Sequence, residues 1–306
     1  MSPYQAPWWL PGGHLQTLYS ALAPAPRVAW RRERWDTPDG DFIDLDWAGG
    51  ADGPLLTLFH GLEGDSSSPY ARTIASRAMA RGWRCVVPHF RGCSGESNRL
   101  PRAYHSGDSA ELDWILRRLQ PDFAAGVSLG GNVLLKWLGE QGPGAARLVR
   151  RAAAVSAPID LAASGHALGR ALNRALYARH FLVTLKPKAI AKIARHGLAL
   201  DAARISRARS LHEYDDLVTA PLHGFRDADD YWARAASGPW LEHIRVPTLV
   251  LNARNDPFLP RARLAAAACR ASPNVVLEFP ASGGHAGFPG RSHWLARRTL
   301  EFFAAP

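Results

Sequence analysis

A serine between glycines stands where one apolar run ends and the next begins, in the stretch Asp122–Leu138 (DFAAGVSLGGNVLLKWL). The pattern Gly126-x-Ser128-x-Gly130 predicts a sharp turn from a strand into a helix, because flanking side chains would clash in so tight a bend. The turn would raise the Ser128 hydroxyl above the carboxyl ends of the strands, at a helix N-terminus that favours negative charge. The stretch therefore predicts an α/β sheet that carries a nucleophilic serine.

The chain around this junction alternates short apolar strands with helical segments. Such strands are typical of a parallel sheet that is buried on both faces. A turn signal at 37–41 (TPDGD) predicts a hairpin near the N-terminal end. We therefore expect an α/β fold with a mostly parallel central sheet, helices on both faces and an antiparallel edge. Besides the strand before Ser128 and the helix after Gly131, the predicted strands are 28–35, 42–48, 55–59, 85–90, 152–156, 248–252 and 275–279, and the predicted helices are 70–81, 109–119, 261–270 and 293–303.

The alternation stops within 158–247, where helical periodicity and polar loops replace the strand pattern. One apolar helix face is predicted there from the spacing of four leucines: Leu168, Leu172, Leu176 and Leu182. This organisation predicts a helical cap inserted into the sheet domain. The expected parts are the first part of the core, 1–157, with the N-terminal segment 1–27 packed on it, the cap, 158–240, and the second part of the core, 241–306.

The composition is that of a globular protein, since 47% of the 306 residues are hydrophobic and 21% are charged. No run of 18 apolar residues occurs, and the start, MSPYQAPWWLPGG, lacks the basic and apolar regions of a secretion signal. Three cysteines without metal-site spacing, Cys85, Cys93 and Cys269, favour reduced thiols and a cytoplasmic location. The net charge of +10 comes mostly from arginines on alanine-rich helices without a nucleic-acid motif, and it predicts solvated basic faces.

A serine nucleophile needs a base, and the base needs an orienting acid, in the chain order Ser, Asp or Glu, His. Asp256 follows the next-to-last strand and is the preferred acid. Asp160 follows an earlier strand and is the alternative acid, or else a helix cap. Only His285 and His293 lie downstream of Asp256. His285, in the loop directly after the last strand, is the predicted base, whereas His293 opens the terminal helix, where a surface or capping role is expected.

Two backbone amides are expected to bind the oxyanion that forms when the serine attacks an acyl carbon. One is the amide of Leu129, directly after the nucleophile. The other is the amide of Leu62, in a His-Gly-Leu turn that follows the strand 55–59. His60 is expected to be buried and structural. The spacing of His60 and Asp65 also matches an acyltransferase pattern, but two residues at such a spacing are common by chance.

Three further features favour structural roles. The segment 91–97 (RGCSGES) follows a strand end and could rim the pocket, but it lacks the patterns of a phosphate site. Cys93 is expected to pack rather than to act as a nucleophile. The segment 7–14 (PWWLPGGH) is expected to tuck in and bury its two tryptophans, with lining of the active site as the alternative. No metal motif occurs, and neither a metal nor a cofactor is expected.

These residues together resemble one branch of the α/β-hydrolase superfamily, the YheT-like esterases. The resemblance covers nearly the whole chain and rests on PWWLPGGHLQTLY, HGLEGDSSSPYAR, HFRGCSGESNRLPRAYHSGD, GVSLGGNVLLKWLGE, DDLVTAPLHGFRDADDYW, VPTLVLNARNDPFLP and SGGHAGF. It implies an α/β-hydrolase fold of the esterase or lipase type, with Ser128 as nucleophile, Asp256 as acid and His285 as base. Animal relatives carry an N-terminal membrane anchor and act on lipid esters, and we expect no such anchor here.

We expect a serine hydrolase that cleaves carboxylic esters with short to medium acyl chains, or acylglycerols, through an acyl-enzyme. Acyl transfer to an alcohol or amine by the same residues is the first alternative. A lipid-surface lipase, docked through the basic cap residues Lys186, Lys188 and Lys192, is the second. A non-catalytic binding protein would predict a broken triad, yet each triad position holds a suitable residue. The expected partner is a small-molecule ester and not nucleic acid, and the oligomeric state is left open.

Overall fold

A computed structural model describes residues 4–290 and 293–305, and residues 1–3, 291–292 and 306 lie outside the described part. Within it, one sheet is built from β1 Arg31–Asp36, β2 Phe42–Ala48, β3 Leu55–Phe59, β4 Arg84–Pro88, β5 Phe123–Val127, β6 Arg151–Val155, β7 Thr248–Leu251 and β8 Val275–Glu278. The strand order is β1-β2-β4-β3-β5-β6-β7-β8. Strands β3 to β8 run parallel, whereas β2 is antiparallel to both β1 and β4. The predicted mostly parallel sheet with an antiparallel N-terminal edge is confirmed.

Helices cover both faces of this sheet, as predicted. They are α2 Pro69–Met79, α3 Ser109–Leu119, α4 Leu129–Gln141, α12 Arg261–Ala268 and α13 Trp294–Ala304, whereas α1 Gly12–Leu22 packs on the loops that follow β7 and β8. The side chains of β3 alternate between two apolar clusters. Phe59 belongs to the cluster with Trp137 of α4, whereas Leu58 belongs to the cluster with Ile74 of α2 and Leu300 of α13. Every residue of β3 is buried, as a strand covered on both faces requires.

The sheet changes direction between β3 and β5. The chain passes from β3 to its outer neighbour β4 and then returns to β5 on the other side of β3. The loops that follow β3 and β5 therefore separate above the carboxyl ends of these strands and leave a crevice, which is where open α/β sheets bind ligands. The turn that carries Ser128 follows β5 and lies at this position.

Only helices and loops lie between β6 and β7 in the described chain. They include α5 Leu161–Gly169, α6 Ala171–Asn173, a π-turn Arg174–Ala178, α7 Arg179–His196, α8 Ala202–Arg207, α9 Leu211–Tyr214, a π-turn Asp215–Thr219, α10 Ala220–His223 and α11 Ala228–Ala235. Leu182, Leu185, Ile205, Tyr214 and Val218 form a separate small core here. We propose residues 158–240 as a cap on the sheet domain. None of the described helices is both long and apolar enough to span a bilayer.

The prediction of one leucine-lined helix face in this region is wrong. Helix α5 ends at Gly169, because Arg170 adopts an extended conformation with φ −63° and ψ 146°. Leu168 and Leu182 are buried, whereas Leu172 and Leu176 are exposed and Tyr177, directly after Leu176, is buried. The break at Arg170 and the wider π-turn after it change the helical phase between the four leucines.

Candidate active site

The turn between β5 and α4 depends on the absence of side chains at two glycines. Ser128 adopts φ +52° and ψ −120°, a strained conformation for a residue with a side chain. A Cβ on Gly126 would lie 2.4 Å from the carbonyl oxygen of Gly130. A Cβ on Gly130 would lie 2.5 Å from the carbonyl oxygens of Phe59 and His60. The predicted clashes at the flanking positions are therefore confirmed, and the backbone of this turn is in direct contact with the backbone at the end of β3.

Three side chains from three separate loops form one hydrogen-bonded chain. His285 Nε2 lies 2.9 Å from Ser128 Oγ, and His285 Nδ1 lies 3.0 Å from Asp256 Oδ2. The Asp256 carboxylate is fully buried and also accepts from the Asn252 side-chain amide at 3.2 Å and from the Phe258 backbone amide at 2.8 Å. Because Nδ1 faces a carboxylate, it carries the ring proton, and Nε2 is left to accept from the serine hydroxyl.

The two alternative candidates lie outside this group. Asp160 caps α5, since its Oδ1 accepts from the Ala163 amide at 2.9 Å, and its other oxygen lies 3.3 Å from Arg263 Nε. His293 adopts a left-handed conformation with φ +49° directly before α13. The structure thus brings Ser128, Asp256 and His285 together and places Asp160 in the capping role that was its other interpretation.

The loop after β3 brings the predicted oxyanion residues close to the serine. A Cβ on Gly61 would lie only 3.2 Å from Ser128 Cβ. Leu62 and Leu129 line the same cavity as Ser128. Among the residues that the structure describes, neither the Leu62 nor the Leu129 amide has a protein acceptor within hydrogen-bonding distance. Both amides can therefore donate to a bound oxyanion.

Two tyrosines and a lysine hold this loop in place. The Gly61 amide donates to Tyr70 Oη at 2.9 Å, and the Glu63 amide donates to Tyr104 Oη at 2.9 Å. The Tyr104 hydroxyl in turn donates to the Glu63 carboxylate at 2.9 Å. Lys188 of α7 pairs with the other oxygen of Glu63 at 2.7 Å. The loop that carries Leu62 is therefore fixed both to the core and to a helix between β6 and β7.

His60 is buried within the same loop and has a structural role, as predicted. Its Nδ1–H donates to the Gly61 carbonyl at 2.8 Å, and its Nε2 accepts from the Phe90 amide at 3.0 Å. Burial lowers the pKa of His60 to about 3, so the ring stays neutral. Asp65 instead accepts from the amide and hydroxyl of Ser67 in a local turn. His60 and Asp65 therefore form no catalytic pair.

The cavity above Ser128 has an apolar wall contributed by the segment between β6 and β7. That wall includes Leu161, Leu168, Phe181, Leu185 and Val218, and Phe258 from the loop after β7 also lines the cavity. The Phe258 ring stacks on the His285 ring at 3.9 Å between centroids. One partly buried carboxyl, Asp215, also lines the cavity, and desolvation raises its pKa to about 6. Its oxygens accept from the Trp232 indole at 2.8 Å and from the Thr219 hydroxyl at 2.7 Å.

The segment 91–97 does not rim this cavity, and that suggestion is wrong. Arg91 is buried, and its guanidinium lies 3.0 Å from Asp41 and 2.5 Å from Glu111, so the segment is tied to the sheet edge. Cys93 packs in the core, as predicted. Burial raises the pKa of the Cys93 thiol to about 12, which keeps it protonated.

The prediction that the N-terminal segment buries its two tryptophans is also wrong. Trp8 is 91% exposed and Trp9 is 49% exposed. The buried residues of α1 are the polar Gln16 and Thr17. This segment reaches the site through those side chains and not through its aromatic rings.

Gln16 and Thr17 hold the loops that carry Asp256 and His285. Gln16 Oε1 accepts from the Gly283 amide at 2.8 Å and from the Asn255 side chain at 3.0 Å. Thr17 Oγ1 accepts from the His285 amide at 2.8 Å. Sequence reasoning missed both residues. The available signal was a pair of neighbouring polar residues, Gln16 and Thr17, between two leucines of the helix.

Comparisons with known proteins agree with this geometry. A family model described as alpha/beta hydrolase fold matches residues 54–291. The chain is 39% identical to "Putative esterase YheT" of Escherichia coli strain K12, over 90% of this chain and 84% of that protein. It is 32% identical to "Phospholipase ABHD3" of Mus musculus, over 87% of this chain and 68% of that protein.

Solved structures of low sequence identity share the fold. An esterase from Exiguobacterium antarcticum, EaEST, has a TM-score of 0.60 at 14% identity, over 90% of this chain and 100% of its own. The esterase RhEst1 from Rhodococcus sp. ECU1013 has a TM-score of 0.57 at 18% identity, over 90% of this chain and 98% of its own. These two likenesses concern the fold alone.

Replacing Gly130 tests the backbone contact at the serine turn. We expect Gly130→Ala to lower the free energy of unfolding by about 3 kcal/mol, because the new methyl group meets two fixed carbonyl oxygens. Gly169→Ala is the matched control, since a Cβ there meets nothing within 4 Å, and we expect a change within about 0.5 kcal/mol. If the Gly130→Ala and Gly169→Ala proteins were equally stable in chemical denaturation, the steric argument would be contradicted.

Replacing Gln16 tests the link between α1 and the two loops. Gln16→Leu leaves the Gly283 and Asn255 amides without their acceptor, so we expect about 2 kcal/mol of destabilisation in chemical denaturation. Gln5→Leu makes the same chemical change at an exposed position and should leave the stability unchanged. A Gln16→Leu protein as stable as the Gln5→Leu protein would show that these hydrogen bonds contribute nothing.

Proposed function

The chain belongs to the alpha/beta hydrolase family, in its YheT-like branch, and on this premise we propose that it is a serine esterase that acts through an acyl-enzyme. One observation carries the proposal. Ser128 Oγ lies 2.9 Å from a His285 ring whose other nitrogen faces the buried carboxylate of Asp256. Membership of this family makes the chain a hydrolase, and relatives named as esterase and phospholipase support ester cleavage.

The proposed first step forms the acyl-enzyme. Ser128 Oγ attacks the acyl carbon of the ester while His285 Nε2 takes the hydroxyl proton. Asp256 holds the ring in the required tautomer and stabilises the imidazolium that forms. His285 then gives the proton to the departing alkoxide, and the alcohol leaves. In the second step His285 takes a proton from water, the hydroxide attacks the acyl carbon, and the acid is released as Ser128 regains its proton.

The Leu62 and Leu129 amides are the proposed donors to the tetrahedral oxyanion. Leu129 is the first residue of α4, so the positive end of the helix dipole adds to its N–H. Leu62 lies in the loop that approaches Ser128 closely. The oxyanion would accept from both amides at the moment when its charge develops, which stabilises the transition state more than the ground state.

The apolar wall supports an acyl ester as the substrate. Leucine, valine and phenylalanine side chains surround the space beside Ser128, and they favour a hydrocarbon chain over a charged group. We propose short to medium acyl chains, including those of acylglycerols. No cofactor takes part in this chemistry, since the serine, the histidine and water supply the nucleophiles and the proton transfers.

A panel of acyl esters graded by chain length tests the nucleophile. We expect Ser128→Ala to lower kcat by about ten-thousandfold on every ester that the wild type cleaves, because no other group can take up the acyl chain. A fluorophosphonate probe should label the wild type and not the variant. Ser67→Ala, at the exposed turn after the Leu62 loop, is the control and should keep full activity. Turnover of Ser128→Ala within tenfold of the wild type would refute the proposal.

Two aspartates, compared by the same substitution, test the acid. We expect Asp256→Asn to lower kcat by at least about a thousandfold, because an amide no longer selects the productive tautomer of His285. Asp160→Asn should keep kcat within about threefold, since asparagine also caps a helix. Similar losses in the two variants, measured on the best ester of the panel, would contradict the assignment of Asp256.

A further inference from the structure

Helix α1 presents its polar residues to the protein and its apolar residues to the outside. Gln16 and Thr17 are buried, whereas Leu15, Tyr19 and Leu22, which recur along one side of the helix, are exposed. Helices that pack on a protein core normally point their apolar side inward. The apolar side of α1 is therefore available to an external partner.

Aromatic residues extend this apolar side. The Trp9 ring packs edge-on against the Tyr19 ring at 5.2 Å between centroids, and Trp8 next to it is almost fully exposed. Tryptophan and tyrosine side chains combine an apolar ring with a polar group, and they are enriched where a membrane meets water. Their position beside the exposed leucines favours a lipid surface as the partner.

A second segment, 172–183, adjoins the first one, 8–22, and also exposes apolar side chains. His14 Nδ1 lies 3.0 Å from the Tyr177 hydroxyl, and the two rings stack. Eight of the ten large apolar side chains that are exposed in the described chain belong to these two segments, which we call the docking face: Trp8, Trp9, Leu15, Tyr19, Leu22, Leu172, Leu176 and Val183. The other two are Met79 and Val276.

The two stretches of chain that carry the docking face contain charged residues of a single sign. Residues 1–32 and 161–200 contain no aspartate or glutamate, and 161–200 contain seven arginines and lysines. Of these, Arg170, Arg174 and Arg179 are exposed beside Leu172 and Leu176. Exposed basic side chains next to exposed apolar ones match the requirements of an anionic lipid surface.

The lysines named from the sequence do not supply this charge. Lys186 donates to the Ser206 carbonyl at 2.8 Å, Lys188 pairs with Glu63 at 2.7 Å, and Lys192 donates to the Leu100 carbonyl at 2.9 Å. These three ammonium groups are engaged in contacts within the protein. The arginines beside the apolar residues are the candidates for contact with lipid.

We infer that the docking face binds an anionic lipid bilayer. A second copy of the chain fits less well, because a twofold contact places the same surface on both sides and would bring the arginines against one another. The segment that carries Leu172 and Leu176 also adjoins the cavity: the ring of its buried Tyr177 lies 4.7 Å from Phe258, which stacks on His285. This closeness to the cavity implies that the ester substrate is drawn from the bilayer, an inference that rests on the proposed function.

Vesicle binding by the full chain carrying Ser128→Ala tests the docking face without turnover. The vesicles contain phosphatidylcholine alone or with phosphatidylglycerol, and bound protein is measured by co-sedimentation at low and high salt. We expect binding to the anionic vesicles that weakens with salt. Trp8→Ser with Leu22→Ser should weaken it at least about tenfold, because both side chains would enter the bilayer. Arg174→Gln and Arg179→Gln should each weaken it about fivefold.

Matched controls separate the docking face from the rest of the surface. Three single variants, Val276→Ser, Arg261→Gln and Arg270→Gln, change exposed residues of the same kinds elsewhere on the surface. Each should bind the vesicles as the Ser128→Ala parent does. The inference is overturned by absence of binding at low salt or by equal losses in face and control variants. It is also overturned if sedimentation shows a dimer that Trp8→Ser with Leu22→Ser dissociates.

Hydrolysis of a dissolved short-chain ester keeps the two proposals apart. The face variants, made with Ser128 intact, should cleave this ester at the wild-type rate, because Trp8, Leu22 and the two arginines do not touch the reacting groups. Binding to vesicles without any ester cleavage would remove the proposed function and leave the docking face. Cleavage of the ester without binding to vesicles would remove the docking face and leave the proposed function.

Discussion

The backbone contact between the serine turn and the end of β3 is the constraint on which the site depends. It exists because position 130 has no side chain: a Cβ there would lie 2.5 Å from two carbonyl oxygens of β3 and its loop. The Gly130 amide donates to the His60 carbonyl at 3.1 Å across this contact. The close approach places the loop that carries Leu62 beside Ser128, so the loops after the two neighbouring strands β3 and β5 bring the Ser128 hydroxyl and the Leu62 and Leu129 amides to one cavity.

Asp256 and His285 need a second constraint, because they come from loops near the C-terminal end of the chain. Helix α1 supplies it from the opposite end of the sequence. A single oxygen of Gln16 accepts from both loops, and the Thr17 hydroxyl accepts from the His285 amide itself. Glycine is again required at the contact, since a Cβ on Gly13 would lie 1.9 Å from the Asn255 carbonyl oxygen. The two ends of the chain therefore position Asp256 and His285 together.

The sequence was sufficient to predict what depends on local pattern. Short apolar strands, the glycines around Ser128 and the chain order of Asp256 and His285 all act within or next to one element, and the structure joins these three residues. It was not sufficient for α1, whose partners lie 239 and 267 residues away and leave no local trace. Hydrophobicity alone predicted that Trp8 and Trp9 would be buried. In the structure Tyr4 and Leu10 are the buried apolar residues of this segment, and the tryptophans point outward.

A helix with a polar inner side and an apolar outer side contradicts the usual pattern of folding, and such contradictions concentrate at functional sites. In α1 the two sides have different partners. The inner side needs hydrogen-bond acceptors because it meets loop backbone, which presents unpaired amides rather than hydrocarbon. The apolar side chains of α1 therefore lie on its outer side. Their unfavourable exposure to water would be removed when a bilayer covers them. One helix would thereby fix the base loop on one side and the position of the protein on a lipid surface on the other, with the cavity beside both.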